Sequence, residues 1–376
     1  MDKSTLSNYG WIVIVTLVLA VMLALATPFG TFVGKGASNV IKTFVQSSDN
    51  AVDEDNIDTQ SEQWDVYLND NEYNHLLGIH EGGTYTTVGG ETVTSAIGDG
   101  IVNFPSREPQ VGDTYVYGDY EYKYGYECKT ATAIQIGKTT SWNANPTENL
   151  NGWGVRRLDT SLTEYQPVLE TINGKPLKSM ANLYVGAGPQ NSLDIKFADG
   201  FTIPDTVVNI DHLFHNQQKM TKLPNSFKIP DSVREMEWAF NVCYQLEEIP
   251  GLQIPVGVTS IYRSFYGVKT INTPLTIPNT VAETNSAFSH AHIGQSLTIP
   301  ESVTNIDLTF AYALFEPDVV ITLNCEPESY DLVFTQIQSP VKITGSCSKL
   351  EDISKVVHFV NGTPDYNANA GKVTIV

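Results

Sequence analysis

From residue 201 to residue 343 the chain repeats one arrangement of apolar and polar positions seven times. Phe201-Thr202-Ile203-Pro204, Phe227-Lys228-Ile229-Pro230, Leu252-Gln253-Ile254-Pro255, Leu275-Thr276-Ile277-Pro278 and Leu297-Thr298-Ile299-Pro300 are the clear copies. Val319-Val320-Ile321-Thr322 and Val341-Lys342-Ile343-Thr344 follow, and the Ile-to-Ile steps are 26, 25, 23, 22, 22 and 22 residues. Such a period marks a solenoid, in which one unit cannot bury its apolar face until a neighbour stacks on it. Four residues after the Ile stands Val207, Val233, Val258, Val281 or Val303, and eleven after it Phe214, Phe240, Phe265, Phe288 or Phe310. Ile203, Ile229, Ile254, Ile277 and Ile299 with those five Phe are therefore the expected core columns. Each tetrad reads as a short strand, because residues two apart share a face, and the Pro ends it by removing an N–H and fixing φ.

Within this repeat, Ile229-Pro230-Asp231-Ser232-Val233 and then Ala239-Phe240-Asn241-Val242-Cys243-Tyr244-Gln245-Leu246-Glu247-Glu248-Ile249-Pro250 resemble the BspA-like leucine-rich repeat. The resemblance implies a leucine-rich-repeat solenoid of short parallel strands. It also implies a bacterial surface protein in adhesion or in host or matrix contact. The half-motif around Cys243 and Leu246 is eroded in later copies, as in Tyr266-Gly267-Val268, and the last two copies lack the Pro. Irregular coils are expected there.

Outside the repeat the pattern changes twice. Trp11 to Ala26 is apolar apart from Thr16, and the apolar stretch extends to Val33. About 20 such residues span a bilayer. Trp11, Ile14, Leu17, Val21 and Leu25 are expected on one hydrophobic helix. Ala24-Leu25-Ala26 fits signal-peptide cleavage. Phe29, Phe32, Val33, Val40, Ile41, Phe44 and Val45 extend the stripe and favour a retained anchor. A hydrophobic N-terminal helix before a β-rich head also loosely resembles pilin-like subunits. Gly10 would mimic their cleavage glycine, although Val15 stands where those subunits carry Glu. Residues 49–62 hold six acids and no base, which reads as a solvated linker.

Residues 63–185 read as a small β domain. Thr84–Val88 and Glu91–Thr94 flank Gly89-Gly90, and Thr114–Tyr117 and Tyr120–Tyr124 flank Gly118-Asp119, so two hairpins are expected. Tyr120, Tyr122, Tyr124 and Tyr126 alternate onto one face. That face suits a sheet core, or alternatively a sugar-stacking platform. The expected organisation is a hydrophobic helix at 1–48, a linker at 49–62, the β domain at 63–185, the solenoid at 186–350 and a C-terminal cap at 351–376. A further degenerate repeat is expected around Met180–Leu193. The fold class is mainly β.

Charge narrows the function. The 376 residues carry 22 Lys and Arg against 42 Asp and Glu, a net charge of −20, which removes the basic footprint that nucleic-acid binding needs. No G-x-S-x-G, P-loop, G-x-G-x-x-G or H-E-x-x-H occurs, so no enzyme, cofactor or metal centre is expected. Cys325 and Cys347 occupy the position four residues after Ile in consecutive repeats and are expected to stack. Both a disulfide and two small buried side chains fit that placement. The outward strand row, Thr202, Lys228, Gln253, Thr276, Thr298, Val320 and Lys342, is polar and lacks Trp, Tyr or Arg anchors. The expected protein is an extracellular, surface-anchored interaction or adhesion protein. A filament subunit and a glycan-binding protein are the alternatives. Its N-terminal helix would meet membrane or like subunits, and its ligand would be protein or glycan.

Overall fold

The computed structural model describes residues 63–67, 83–94, 101–105, 108–188, 191–198, 200–360, 363–366 and 371–376. All belong to the compact unit Glu62–Val376. The hydrophobic segment with Trp11, Ile14, Leu17, Val21 and Leu25, and the acidic linker at 49–62, lie outside the described residues.

The repeats form a β-solenoid of about eight turns. Its core is a column of aromatic rings. Tyr184, Phe214, Phe240, Phe265, Phe288, Phe310 and Phe334 stack in series, with centroids 5.2–5.8 Å apart and interplanar angles of 4–26°. The five Phe expected from the repeat are wholly buried, and Ile203, Ile229, Ile254, Ile277 and Ile299 are at most 5% exposed. Tyr184 and Phe334 extend the column by one coil at each end.

Between coils the backbone alternates its donors. The N–H groups of Ile210, His212, Phe214 and Asn216 reach the carbonyls of Glu235, Glu237, Ala239 and Asn241 on the next coil at 2.7–2.9 Å. Leu213, His215 and Gln217 instead donate to residues three back, Ile210, His212 and Phe214, at 3.1–3.2 Å. This satisfies the backbone of a buried turn, which burial otherwise penalises. The alternation needs a left-handed residue at two points per coil. His212, Trp238, Arg263, Ser286 and Leu308 hold one, and Asn216, Val242, Gly267, His290 and Tyr312 the other, at φ of 53–69°. Val242 is β-branched, and a positive φ is unusual for such a side chain. Its N–H, bonded to Tyr266 O on the next coil at 2.8 Å, holds it there.

The expected strands change. Of the five Ile-Pro tetrads only Leu297–Ile299 is a hydrogen-bonded strand, whereas the Pro-less Val320–Leu323 and Val341–Thr344 both are. They pair in parallel, Leu297 opposite Ile321 and Ile321 opposite Ile343. Pro removes the donor that would follow each Ile, so the copies that lost it ladder best. The last copies are thus more regular strands than the early ones. The first coil runs through Met180–Gly186, within the stretch where a further degenerate repeat was expected. Met180, Asn182, Tyr184 and Gly186 donate to Asn209, Asp211, Leu213 and His215 at 2.8–2.9 Å.

The β domain is a seven-stranded sheet ordered Thr92–Thr94, Thr84–Thr86, Thr114–Tyr117, Tyr120–Tyr124, Trp153–Arg157, Lys175–Ser179 and Thr171–Ile172. Both expected hairpins form. Lys175–Ser179 runs parallel to Trp153–Arg157 and continues straight into the first coil. The sheet therefore caps the N-terminal end of the solenoid. At the other end stand helix Leu350–Ser354, the hairpin Val357–Val360 with Thr363–Tyr366, and strand Val373–Ile375 paired to Val341–Thr344. Capping of both ends is what a stacked repeat requires for solubility.

Candidate interaction surface

Three faces were candidates for contact. The strand row is exposed and polar at Thr202, Lys228, Gln253, Thr276, Thr298 and Lys342, with Val320 half-buried. The tyrosine face of the β domain is core, not platform: Tyr120, Tyr122 and Tyr124 are buried against Trp153, Tyr165 and Tyr184. The Tyr120 hydroxyl meets that of Tyr184 at 2.8 Å, and the Tyr122 hydroxyl accepts from Leu169 N at 3.0 Å. Burial pushes both phenols far above their ordinary pKa.

The third face was not legible in the sequence. It is built by the left-handed residues His212, Trp238, Arg263, His290 and Tyr312 together with the neighbouring Tyr244, Tyr262 and Tyr266, whose side chains stack along the solenoid. His212 lies on Trp238 with ring centroids 5.3 Å apart and planes 8° from parallel. The Arg263 guanidinium covers Trp238 at 4.7 Å and also approaches Tyr262 and Tyr266 at 5.4 and 5.7 Å. Such cation–π contacts strengthen as they are desolvated. Tyr266, His290 and Tyr312 continue the ribbon at 4.8 and 4.5 Å. Tyr244 joins it at Gly267, where a Cβ would fall 2.5 Å from the tyrosine ring and φ is +69°. Glycine thus satisfies the left-handed site and makes room for the ring. Tyr244 and Tyr312 remain 43% and 42% exposed.

Around Trp238 four buried polar atoms, His212 Nδ1, His215 Nδ1, Asn241 Oδ1 and Arg263 Nε, have no hydrogen-bond partner in the protein. Buried polar atoms are rarely left so. Burial depresses both histidines to a pKa of about 4, with the neighbouring His215 adding to the effect on His212 and Arg263 to that on His215. The histidines are therefore neutral at physiological pH, and Arg263 carries the cluster's charge.

A second, acidic ribbon runs beside it. Asp211, Glu235 and Glu237, with Arg234, Thr259 and Ser260, line a shallow cleft of about 220 Å³. Burial first, and Glu235 next, raise the Asp211 carboxyl to about 7. Glu235 and Glu283 are raised in the same direction, each chiefly by burial. Among the described residues no group of three His, Cys, Asp or Glu is placed to hold a metal ion, and no helix is long and apolar enough to cross a membrane.

Cys325 and Cys347 stack as the repeat implied, buried and with free thiols. The expected core residues are buried in the common hydrophobic core. Trp, Tyr and Arg are the side chains that dominate binding energy at interfaces, and among the described residues of the solenoid the ribbon around Trp238 and Arg263 gathers them. No family model, curated protein or solved structure matches the chain.

Proposed function

We propose that this chain is a bacterial cell-surface interaction protein of the BspA-like leucine-rich-repeat kind, held by its N-terminal hydrophobic segment and making contact through the ribbon of Trp238, Tyr244, Arg263, Tyr266, His290 and Tyr312. The single observation that carries the reading is the concentration of anchor-type side chains on that ribbon while the strand row stays polar. A rigid, doubly capped scaffold with pre-stacked rings loses little side-chain freedom on binding. Adhesion to a host or matrix component is the role the repeat resemblance supports.

The test is adhesion of the purified protein to host cells and matrix-coated surfaces. Tyr244→Ala with Tyr312→Ala is expected to weaken binding at least about tenfold, since hot-spot truncations cost about 2 kcal/mol or more. Thr276→Ala with Lys342→Ala on the strand row is expected to leave it unchanged. Loss with the strand-row pair and retention with the tyrosine pair would refute the assigned face.

The apolar stretch from Trp11 to Val33 favours a second reading, a subunit whose helices pack in an extracellular filament. Removal of residues 1–48 is expected to give a soluble, folded protein under either reading. Electron microscopy of sheared surface material separates them: filaments built from this chain support the second, and their absence supports the first.

A further inference from the structure

We propose that Cys325 and Cys347 form an oxidisable pair that closes into a disulfide staple between two successive coils at the C-terminal end of the solenoid. The inference is independent of which face makes contact. Ile321 stands opposite Ile343 and Thr322 opposite Thr344 in parallel pairing. Past the strands the two coils stay hydrogen-bonded, with a one-residue slip. Cys347 N donates to Leu323 O at 3.1 Å, and Ser348 N reaches Glu326 Oε1 at 2.7 Å. Each cysteine lies four residues beyond its Ile, so the two are direct neighbours on adjacent coils. Parallel neighbours sit about 4.8 Å apart, inside the roughly 4.4–6.8 Å Cα range that a disulfide bridges. Both side chains turn into the same core, and their sulfurs share a hydrogen bond.

The other two thiols provide the contrast. Cys128 donates to Ser141 O at 3.3 Å and Cys243 to Phe214 O at 3.2 Å. Burial raises the pKa of both, and each sulfur is engaged by a backbone carbonyl instead of a second thiol. In the stacked pair the Cys325 thiol donates to the Cys347 sulfur. That bond lowers the Cys347 pKa and raises that of Cys325. Cys347, at 4% exposure against 0% for Cys325, is also the residue nearer solvent, which makes it the nucleophile and Cys325 the resolving thiol.

The chemistry is thiol–disulfide exchange with a small-molecule or protein disulfide as oxidant. The Cys347 thiolate attacks one sulfur of the oxidant, forms a mixed disulfide and releases one thiolate. Cys325, giving its proton to solvent, then attacks Cys347 Sγ and expels the second thiolate. Two protein thiols become one disulfide, and the oxidant's disulfide becomes two thiols. The bond would tie the coil carrying Val320–Leu323 to the coil carrying Val341–Thr344. The latter supports strand Val373–Ile375 and precedes helix Leu350–Ser354. The ends of a solenoid open first, so the staple guards the end that lacks the β-domain cap.

The full chain, folded, is incubated with oxidised glutathione, acid-quenched, alkylated and digested without reduction. Mass spectrometry is expected to find a linked Cys325–Cys347 peptide, with Cys128 and Cys243 still alkylated. Cys325→Ser is expected to stop at a glutathione adduct on Cys347. Oxidation is also expected to slow proteolytic release of residues 350–376 at least about tenfold, as closure of a loop of this length suppresses opening, and to leave Cys325→Ser unaffected. Four free thiols after oxidation, a link from either residue to Cys128 or Cys243, or equal release rates before and after oxidation would each overturn the proposal.

Discussion

Phe240→Ala is expected to lower the unfolding free energy by about 3–5 kcal/mol, the range for truncating a wholly buried Phe in a core that cannot collapse around the loss. Its ring is fully buried and lies between Phe214 at 5.5 Å and Phe265 at 5.7 Å. The backbone on either side is fixed by bonds to both neighbouring coils, as Phe240 N to Ser264 O at 2.9 Å and Phe214 N to Ala239 O at 2.8 Å. The gap therefore stays open. In a stacked array stability is a sum of coil and interface terms, so the loss falls on two interfaces and splits the array near its middle. Chemical denaturation followed by far-ultraviolet circular dichroism should show a reduced midpoint and a broadened or two-step transition. Thr276→Ala, on the exposed strand row, should shift stability by no more than about 0.5 kcal/mol. Equal effects of the two would mean that the assigned register is wrong.

Asp211→Asn is expected to stabilise the protein by about 1–3 kcal/mol at pH 8 and to make no difference near pH 3. Burial, and then Glu235, raise the folded pKa of Asp211 from 3.8 to about 7. The folded state thus binds this proton more tightly than the unfolded chain does. The associated stability is fully present below the unfolded pKa and is lost as pH rises through about 7. Three units correspond to about 4 kcal/mol at most, and partial solvent access reduces that. Asn keeps an acceptor for Glu237 N, which now bonds Asp211 Oδ1 at 2.7 Å, while removing the charge from beside Glu235 and Glu237. The histidines act in the opposite sense. The pKa values of His212 and His215 fall from 6.5 to about 4 on folding, so their contribution is present above 6.5 and is lost as pH falls through 4. Wild-type stability should therefore peak between about pH 5 and 7. His215→Gln should flatten the acidic limb and Asp211→Asn the alkaline one. A thermal-unfolding series across pH 3–9 checks both limbs.

The core of the solenoid was legible because burial forces one side-chain type to recur at one place. Five Phe at a constant offset from Ile could serve only a stacked column. The coil of Tyr184 was legible only as a degenerate repeat around Met180–Leu193, because no Ile-Pro precedes it, and Phe334 was hidden because the last ring-to-ring step is 24 residues after steps of 23 and 22. The strands were misplaced for a related reason. Proline makes a repeat conspicuous in sequence, yet it removes the very N–H that a strand ladder needs. The hairpins of the β domain were readable from Gly89-Gly90 and Gly118-Asp119. The parallel pairing of Trp153–Arg157 with Lys175–Ser179 depends on distant segments and leaves no local sign.

The contact ribbon was illegible for a deeper reason. Left-handed outward positions carry no common volume requirement, so His212, Trp238, Arg263, Ser286 and Leu308 look unrelated along the chain. Only the coil geometry lays the first three against one another. The two left-handed positions per coil, nine and thirteen residues after the Ile, find His212, Trp238, Arg263, His290 and Tyr312 but not Tyr244 or Tyr266.

Side-chain footprinting by hydroxyl radicals, on the protein bound to host-cell or matrix surfaces and free in solution, tests the contact face most directly. Trp238, Tyr244 and Tyr312 react readily and are expected to lose most of their oxidation on binding, while Tyr330 and Phe359 at the C-terminal cap keep theirs. Unchanged oxidation of Trp238, Tyr244 and Tyr312 in the bound protein would contradict the assignment of the ribbon as the contact surface.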